Sequence, residues 1–536
     1  MDRHPKHNIW FYIALAILLM GFSKITFAAS GCDGAGNCYV YGSATGTGSG
    51  ASWTNAYTGF GTGSKQVNPG NMQRGVTYWI AAGNYGGVNW STPDSGSAFI
   101  TIEAATTANH GPASDWNDNF AGQAVFASAG SSISTDYWTL NGQTRGADWQ
   151  SGYNIKFWNQ NADQGMGVYI GSNHDINFEY IEMEGTGMTG GAFPNNTTAD
   201  RCNVNNCGVW QDGNIYESSP VSNIYVGYGY YHHTGNSQFW FNVTGNGGSV
   251  SSNLTWEYNW VSYNHTGQNG QHDEAYSLLA NNATIRYNVF QDISGSGLIC
   301  DASAANPAMS NWFIYGNLFF NDAAYLALGQ NYWLNTVDNG IVALGDGNGS
   351  PENWTGTILF TNNTMANYDP PGVAGYNVYS TLPVSGVPGA ITGTANVIIE
   401  NNLWYASAYV YGNYNPICNQ LSGTCTEDYN ASFQGTSAVA GANWQTNSTP
   451  AAHDYNVSGT ASPFAGTQPG LTIAAYEPAT PDPFVSHAGV TLAAPYNVDM
   501  LGVTRGANGT WDRGALQLSG NSNPPNPPTN LTATVQ

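Results

Sequence analysis

The chain has very few charged residues and lacks a long apolar segment after its first 22 residues. Asp, Glu, Lys and Arg together make up 8% of its 536 residues, and only 11 residues are Lys or Arg. So few basic residues exclude the electropositive surface that binds nucleic acid or anionic lipid. No later segment is apolar for long enough to cross a bilayer. The sequence therefore predicts a protein that binds no nucleic acid and does not span a membrane.

The N-terminus is typical of a secretory signal peptide. Residues 1–29 contain a basic start, an apolar run over residues 9–22 and small residues at the end. Their removal leaves eight basic and 33 acidic residues, a net charge of −25. We expect a secreted or cell-surface protein whose acidic surface favours a neutral or weakly charged partner. A lipoprotein cleavage site before Cys32 is the alternative, although the usual large aliphatic residue is missing three places before that cysteine.

Cysteine is also scarce, and six of the seven residues fall into closely spaced pairs. In an exported chain, such spacing suggests small disulfide-closed loops, although the sequence does not determine their connectivity. Cys300 is left over in an apolar segment, which indicates a buried, inert thiol. The predicted disulfide residues are Cys32 with Cys38, Cys202 with Cys207, and Cys418 with Cys425.

Glycine and aromatic residues are plentiful instead, with 67 Gly, 33 Tyr and 18 Trp. This composition is too aromatic for disorder and too rich in glycine for packed helices. Asparagines recur in pairs that enclose short apolar or aromatic segments, and the first three pairs step by 29 residues. The pairs are Asn253/Asn259, Asn282/Asn288, Asn311/Asn317 and Asn396/Asn402. A fixed period of this size predicts stacked coils in which the side-chain amides bond to each other from coil to coil.

The repeat gives a prediction for the organisation of the whole chain. Ser52 is a suitable N-cap, so a short capping helix is expected near the N-terminal end of the coils. The predicted parts are residues 1–29 as the signal peptide, 30–94 as the N-terminal cap and first coil, 95–412 as the coils, 413–518 as a C-terminal excursion and closing strand, and 519–536 as a Pro-rich linker or tail.

Three stretches together indicate a family. They are the opening residues 38–85, the asparagine-bearing coils, and a terminal motif made of Asp499, Gly502, Arg505, Asp512, Gly514 and Ala515. They resemble exported bacterial right-handed parallel β-helix proteins of the pectate-lyase-like superfamily. The resemblance implies an all-β, right-handed parallel β-helix over about residues 38–518, with a shallow groove used on polysaccharide. Its members include lyases with a Lys or Arg base, often with calcium, and hydrolases with clustered aspartates. One departure is Arg513, which stands where the family usually has an apolar residue.

Acidic and imidazole side chains occur in the predicted turns of the central coils. If the register holds, the residues His232 and His233, then His265, then Asp292 and then Asp322 stack about 4.8 Å apart on successive coils. Carboxylates one coil apart match the spacing of a retaining glycosidase, and those two coils apart match an inverting one. Stacked charges also raise the pKa of one carboxyl, as a general acid requires. The candidate catalytic residues are Asp273, Glu274, Asp292 and Asp301, with His265 and His272 to orient an acid or to share its proton.

Further residues near this cluster are candidates for contact with a sugar. These are His233, Tyr231, Tyr263 and Trp260, whose rings suit the apolar faces of pyranoses. The alternatives are that the rings stack inside the coils and that the acids and imidazoles only cap strand ends. A metal site that includes Asp292 and His233 is a third interpretation, without a recognised ligand spacing. No cofactor is predicted, although calcium remains possible.

The sequence leads to two main hypotheses about function. The first is an exported β-helix protein that hydrolyses a neutral or weakly charged polysaccharide with paired carboxylates, as a probable monomer. The second is a non-catalytic glycan-binding or adhesive surface protein. A calcium-dependent lyase is disfavoured because the coils beyond residue 150 contain only Lys156, Arg201 and Arg286 as cations. Of these, Arg286 is expected to form a structural salt bridge.

Overall fold

The described residues form three long sheets around a single axis. The computed structural model describes residues 32–128, 130–159, 167–185, 215–234, 239–241, 248–264, 274–293, 297–300, 307–326, 341–345, 351–368, 383–406, 415–433, 451–457, 462–479, 488–507 and 511–518. Within them, the strand pairings are parallel apart from that of the last two strands of one sheet. We call the sheets A, B and C and number the strands in chain order.

Sheet A has 13 strands, sheet B has ten and sheet C has 12. Sheet A contains β1 (Asn37–Val40), β2 (Thr77–Ile80), β5 (Ile100–Ala104), β8 (Trp138–Asn141), β11 (His174–Glu179), β14 (Ser222–Gly227), β17 (Ser251–Glu257), β20 (Ala280–Arg286), β23 (Ala308–Tyr315), β26 (Glu352–Thr361), β29 (Ile391–Gly393), β30 (Asn396–Glu400) and β33 (Cys425–Asp428). Sheet B contains β4 (Asn89–Trp90), β7 (Ser131–Ile133), β10 (Val168–Gly171), β13 (Ile215–Glu217), β16 (Phe239–Phe241), β19 (Tyr276–Leu278), β22 (Leu298–Cys300), β25 (Val342–Leu344), β28 (Val384–Gly386) and β32 (Asn415–Pro416). Sheet C contains β3 (Gly83–Asn84), β6 (Ala124–Ser128), β9 (Ile155–Asn159), β12 (Ile181–Glu184), β15 (Tyr230–Thr234), β18 (Trp260–Asn264), β21 (Val289–Ile293), β24 (Leu318–Phe320), β27 (Thr364–Ala366), β31 (Leu403–Tyr405), β34 (Ala431–Phe433) and β35 (Tyr455–Val457).

The chain visits sheets A, C and B in turn, so each group of three strands makes one coil. Strands β17, β18 and β19 form one such coil, and they pair with β20, β21 and β22 of the next. The molecule is therefore a parallel β-helix, which confirms the predicted fold. The crossover rule for parallel strands gives such a coil its right hand.

Side chains that alternate inward from all three sheets fill the interior. Leu254 of β17 lies in register with Ala283 of β20, which is in register with Trp312 of β23. These side chains are fully buried, and the rings of Phe290 and Phe319 stack with centroids 4.5 Å apart. The interior is thus a column of matched apolar layers that buries one face of every strand.

Asparagine ladders run along the turns, as the sequence predicts. Asn259 Nδ2 donates to Asn288 Oδ1 at 3.0 Å, and Asn288 Nδ2 donates to Asn317 Oδ1 at 3.1 Å. The same bonds continue the buried ladder through Asn363, Asn402 and Asn430. A second, more exposed ladder joins Asn223, Asn253, Asn282 and Asn311. Asn396 departs from the pattern, since its Oδ1 accepts from the backbone N–H of Thr424 instead.

The N-terminal end is closed by aromatic packing rather than by the predicted capping helix. Residues 51–57 form bends and turns. Ser52 Oγ accepts from the N–H of Asn55 as an N-cap would. The carboxylate of Asp115 accepts hydrogen bonds from the N–H groups of Trp53 and Thr54. Trp53 is fully buried against Tyr39. The N–H of Ala56 donates to the backbone oxygen of Trp53, and that of Tyr57 donates to Tyr39 on β1 rather than to Trp53, so the chain makes one turn and no α-helix.

The C-terminal residues pack along the side of the coils. Residues 462–479, 488–507 and 511–518 include a buried apolar set that covers the outer faces of β21, β24 and β31. Arg505 holds this segment together, donating to the backbone oxygens of Asp512 and Gly514 at 3.0 and 2.8 Å. The terminal motif packs against sheet C, and in its described residues, 499–507 and 511–515, no strand forms where the closing strand is expected.

Other predicted features are confirmed where the structure describes them. Disulfides join Cys32 to Cys38 and Cys418 to Cys425, and Cys300 is buried. Cys202 and Cys207 lie outside the described residues. The short helical elements are α1 (Ala323–Leu326) and the 3-10 turns Asp118–Phe120, Ile417–Asn419 and Ile473–Tyr476. Among the helices in the described part of the chain, none has the length and apolar character needed to cross a membrane.

Candidate functional site

The outer face of sheet A carries a column of acidic side chains, which we call the acidic column. Glu103 of β5, Asn141 of β8, Glu179 of β11, Gly227 of β14 and Glu257 of β17 occupy consecutive positions in register. Residues on either side of Glu103 are fully buried, so strand alternation turns its side chain outward. Glu103 and Glu179 are partly exposed. The sequence predictions did not include this column.

The acids of the column are two coils apart and influence each other. At about 4.8 Å per strand, Glu103 and Glu179 lie about 9.6 Å apart along the axis, as do Glu179 and Glu257. Burial raises the pKa of Glu103 to about 8, with the charge of Glu179 as a further cause. Burial also raises the pKa of Glu179 to about 7, assisted by the charge of Glu257. Between these two values, Glu103 keeps its proton while Glu179 has lost its own.

Glu257, in contrast, is fixed in an ion pair. Arg286 Nε donates to Glu257 Oε2 at 2.5 Å, Arg286 Nη2 contacts the same oxygen, and the Tyr225 hydroxyl donates to Oε1 at 2.8 Å. Burial lowers the pKa of Arg286, but Glu257 and the Tyr315 hydroxyl raise it well above its usual value. The salt bridge predicted for Arg286 is confirmed, and a guanidinium held charged in this way cannot abstract a proton.

A stack of tyrosine rings borders the acidic column. Tyr180, Tyr228, Tyr258 and Tyr287 directly follow the sheet A strands, with ring centroids 4.8 to 5.0 Å apart. All four have positive φ, between 55° and 59°. Tyr180 and Tyr258 are partly exposed, whereas the other two rings are buried. The dipeptide Glu-Tyr at the end of β11 and again at the end of β17 was the available sequence signal for both features.

On the other side of the acidic column lies a row of hydroxyl and amide groups. These side chains are partly exposed, and Asn177 Nδ2 donates to Thr139 Oγ1 at 3.1 Å. The row contains Thr101, Thr139, Asn177, Tyr225 and Thr255, in register on consecutive strands. Sheet A thus presents a strip of hydrogen-bonding groups, a line of carboxyls and a line of aromatic rings, side by side.

The structure places the predicted catalytic residue Asp292 in a buried carboxyl pair. Asp292 is 0% exposed, and its Oδ1 accepts from the N–H of Asp322 at 2.8 Å. Burial raises the pKa of Asp292 far above its usual range, and the neighbouring charge of Asp322 adds to the effect. Gln291 Nε2 donates to Asp322 Oδ2 at 3.0 Å. The pair is therefore enclosed by protein near the C-terminal ends of β21 and β24, in the middle of sheet C.

Of the other predicted catalytic residues, the structure describes Glu274. It is buried at the start of the β19 segment, where its backbone oxygen accepts from Asn264 Nδ2 at 2.6 Å. Asp273, Asp301, His265 and His272 lie outside the described residues. Their catalytic role remains a prediction.

The predicted sugar-contacting residues lie on sheet C near the Asp292 pair. The rings of His233 and Tyr263 are 4.8 Å apart. The strand register places Tyr263 next to Asp292 on the neighbouring coil, the position that the sequence prediction gave to His265. Trp260 is buried and its Nε1 donates to Gln291 Oε1 at 2.9 Å. Tyr231 lies inside the coils, with its ring 4.7 Å from that of Phe239. Tyr231 and Trp260 are buried, as the internal-stacking alternative expects, whereas His233 and Tyr263 are partly exposed. Contact of these rings with a sugar stays a prediction.

Comparisons with known proteins give a structural likeness without a sequence family. No family model matches the chain, and no curated protein matches it. The crystal structure of pectate lyase Pel9A is similar over 91% of this chain and 98% of that chain, with 13% sequence identity and a TM-score of 0.39. The parallel β-helix is established by the strand register of this chain itself.

Proposed function

We propose that the protein hydrolyses a neutral or weakly charged polysaccharide on the outer face of sheet A, with Glu103 as general acid and Glu179 as general base. The observation that carries this proposal is the acidic column. It contains two partly exposed carboxyls in one line, with pKa values raised to about 8 and about 7. Two carboxyls held in different protonation states near neutral pH are what acid–base hydrolysis requires.

The spacing of the two acids favours a reaction with inversion. A separation of about 9.6 Å lies just above the range of about 6.5–9.5 Å used by inverting glycosidases and far above the roughly 5–5.5 Å of retaining ones. Glu103 donates its proton to the oxygen of the departing sugar. Glu179 accepts a proton from the water that attacks the anomeric carbon from the opposite face. The reaction consumes one water per bond and needs no cofactor.

The groups on both sides of the acidic column suit a carbohydrate. Partly exposed Tyr180 and Tyr258 offer aromatic faces for the apolar side of a sugar ring. The hydroxyls and amides from Thr101 to Thr255 offer hydrogen bonds to sugar hydroxyls. The formal net charge of −23 disfavours polyuronates. These features support a neutral or weakly charged substrate.

A non-catalytic glycan binder is the second candidate. The tyrosine stack favours a binder, because a sugar ring can stack on these aromatic rings without any proton transfer by the acids. A lyase is less well supported. Of the three cations that the structure describes in the coils of residues 95–412, Lys156 and Arg286 form ion pairs with glutamates. The third, Arg145, lies over the ring of Trp149 and donates to the backbone oxygen of Tyr258. We infer that the protein acts outside the cell, where disulfides such as Cys418–Cys425 persist.

The test is a panel of soluble polysaccharides, with reducing ends and unsaturated products measured separately. We expect new reducing ends without unsaturated products, and a loss of about 10²–10⁴-fold in rate for Glu103→Gln and for Glu179→Gln. Glu400→Gln is the matched control, because Glu400 lies in the same register line of sheet A at the distal end. Binding without cleavage indicates the second candidate, unsaturated products indicate a lyase, and unchanged rates in both variants exclude this site.

A further inference from the structure

A second cluster of ionisable side chains lies on the outer face of sheet C. Lys156 of β9, Glu182 and Glu184 of β12, and His232 of β15 occupy three successive strands. Lys156 Nζ lies 2.6 Å from Glu182 Oε1 and 2.6 Å from Glu184 Oε2. One ligand atom from each glutamate and one from His232 lie within 4.8 Å of each other. The cluster therefore already surrounds a positive charge, that of the lysine ammonium.

His232 is oriented toward these carboxylates. It is 6% exposed, and its ring stacks on Tyr230 with centroids 4.0 Å apart. Its Nδ1 contacts the Nδ1 of His233. Its Nε2 is buried without a hydrogen-bond partner among the described residues and lies 3.5 Å from Glu182 Oε1, which is too long for a good hydrogen bond. When Nδ1 carries the proton of a neutral ring, the lone pair of Nε2 faces the carboxylates.

We propose that Glu182, Glu184 and His232 form a site for a divalent transition-metal ion, which competes with the Lys156 ammonium for the same place. Two carboxylate oxygens and one imidazole nitrogen are ligands that Zn²⁺ accepts at about 2.0–2.2 Å, with a fourth position left for water. The three ligand atoms, now within 4.8 Å of one another, must move closer together to bind one ion. The long, flexible stem of lysine allows its ammonium to leave.

The other group of suitable ligand types in the described residues does not compete as an explanation. It consists of Cys418, Cys425 and Glu427, but its two cysteines form a disulfide and offer no thiolate. The Glu182 cluster is also separate from the acidic column, because it lies on sheet C rather than sheet A. The outcome of a metal-binding experiment at this cluster is therefore independent of the proposed hydrolysis.

The experiment is titration of the chelator-treated full chain with Zn²⁺, followed by calorimetry and by the thermal midpoint. At pH 7.5 the wild type is expected to bind one ion at this site and to gain thermal stability. Lys156→Gln removes the competing cation and is expected to bind about tenfold more tightly or better. His232→Gln and Glu184→Gln are expected to lose this binding event, because each removes one of the three ligands.

His453→Gln is the matched control, since His453 pairs with Asp428 on the surface and is far more exposed. It is expected to leave the titration unchanged. The proposal is overturned if neither wild type nor Lys156→Gln binds Zn²⁺, or if His232→Gln and Glu184→Gln, folded by circular dichroism, bind as the wild type does. Loss of binding in His453→Gln alone would place the ion elsewhere and would also overturn it.

Discussion

Glu103 and Glu179 point outward from the same line of sheet A, with Asn141 on the strand between them. Burial raises the pKa of both carboxyls, and the charge of Glu179 raises that of Glu103 further. A parallel β-helix produces this arrangement without any local motif, because residues far apart in the chain recur at one position of successive coils. The proposed chemistry depends on that register.

The pH profile of hydrolysis tests the two protonation states. With a base of pKa about 7 and an acid of pKa about 8, the rate is expected to rise as Glu179 ionises and to fall as Glu103 ionises, with a maximum between. In Glu179→Gln, loss of the neighbouring charge is expected to lower the pKa of Glu103. Carboxyl NMR titration measures this pKa directly, and an unchanged value would show that the two acids do not interact.

Asp292 is expected to make stability depend on pH. Burial and Asp322 raise its pKa in the folded state, so its favourable contribution is complete below the unfolded pKa of about 3.8 and is lost as pH rises through the folded value. Asp292→Asn removes this titration. Urea unfolding is expected to show a gain over wild type that is larger at pH 8 than at pH 5. An equal difference at both values would contradict the assignment.

The buried asparagine ladder is expected to contribute more than the exposed one. Asn288 Oδ1 accepts from both the N–H and the Nδ2 of Asn259, so Asn288→Ala leaves buried donors unpaired and costs about 2–5 kcal/mol. Asn282→Gly is the control in the exposed ladder, because glycine accepts the positive φ of 56° at that position. Chemical unfolding is expected to show the smaller loss there. Equal losses would mean that burial of the amide is unimportant.

Attachment of the C-terminal segment is expected to depend on Gly514. Its φ is +90°, and a Cβ there would lie 2.6 Å from Thr364 Oγ1 and 3.1 Å from Leu403 Cβ. Gly389 has a similar φ of +83° but no atom within 4 Å of such a Cβ. Gly514→Ala is expected to lose about 1–3 kcal/mol more than Gly389→Ala, the excess arising from overpacking. Limited proteolysis after residue 488 should show whether the segment has detached, and equal losses would refute tight docking.

The sequence contained enough information for the fold and much less for the site. The spacing of Asn259, Asn288 and Asn317 gives the length of one coil directly, because the side-chain amide of each coil hydrogen-bonds to that of the next. The site depends on which residue of each coil shares a register line. His265 was expected above Asp292, but Tyr263 occupies that position, a difference of two residues that periodicity alone does not resolve.

The same reasoning explains why the acidic column was missed. Glu103, Glu179 and Glu257 are separated by unequal lengths of chain, and no common spacing connects them until strand pairing is known. Burial is a further property that a single sequence does not report. Asp292 and Glu103 are both acids within strands, yet Asp292 is enclosed by protein and Glu103 is partly exposed.

The most direct test of the central claim compares wild type, Glu179→Gln and Glu400→Gln on a polysaccharide that the wild type cleaves. Initial rates and the first anomer released are followed by NMR. We predict inversion at the anomeric carbon, full activity in Glu400→Gln and a loss of about 10²-fold or more in Glu179→Gln. Retention of configuration, or an unchanged rate in Glu179→Gln, would contradict the assignment of the acidic column as the catalytic site.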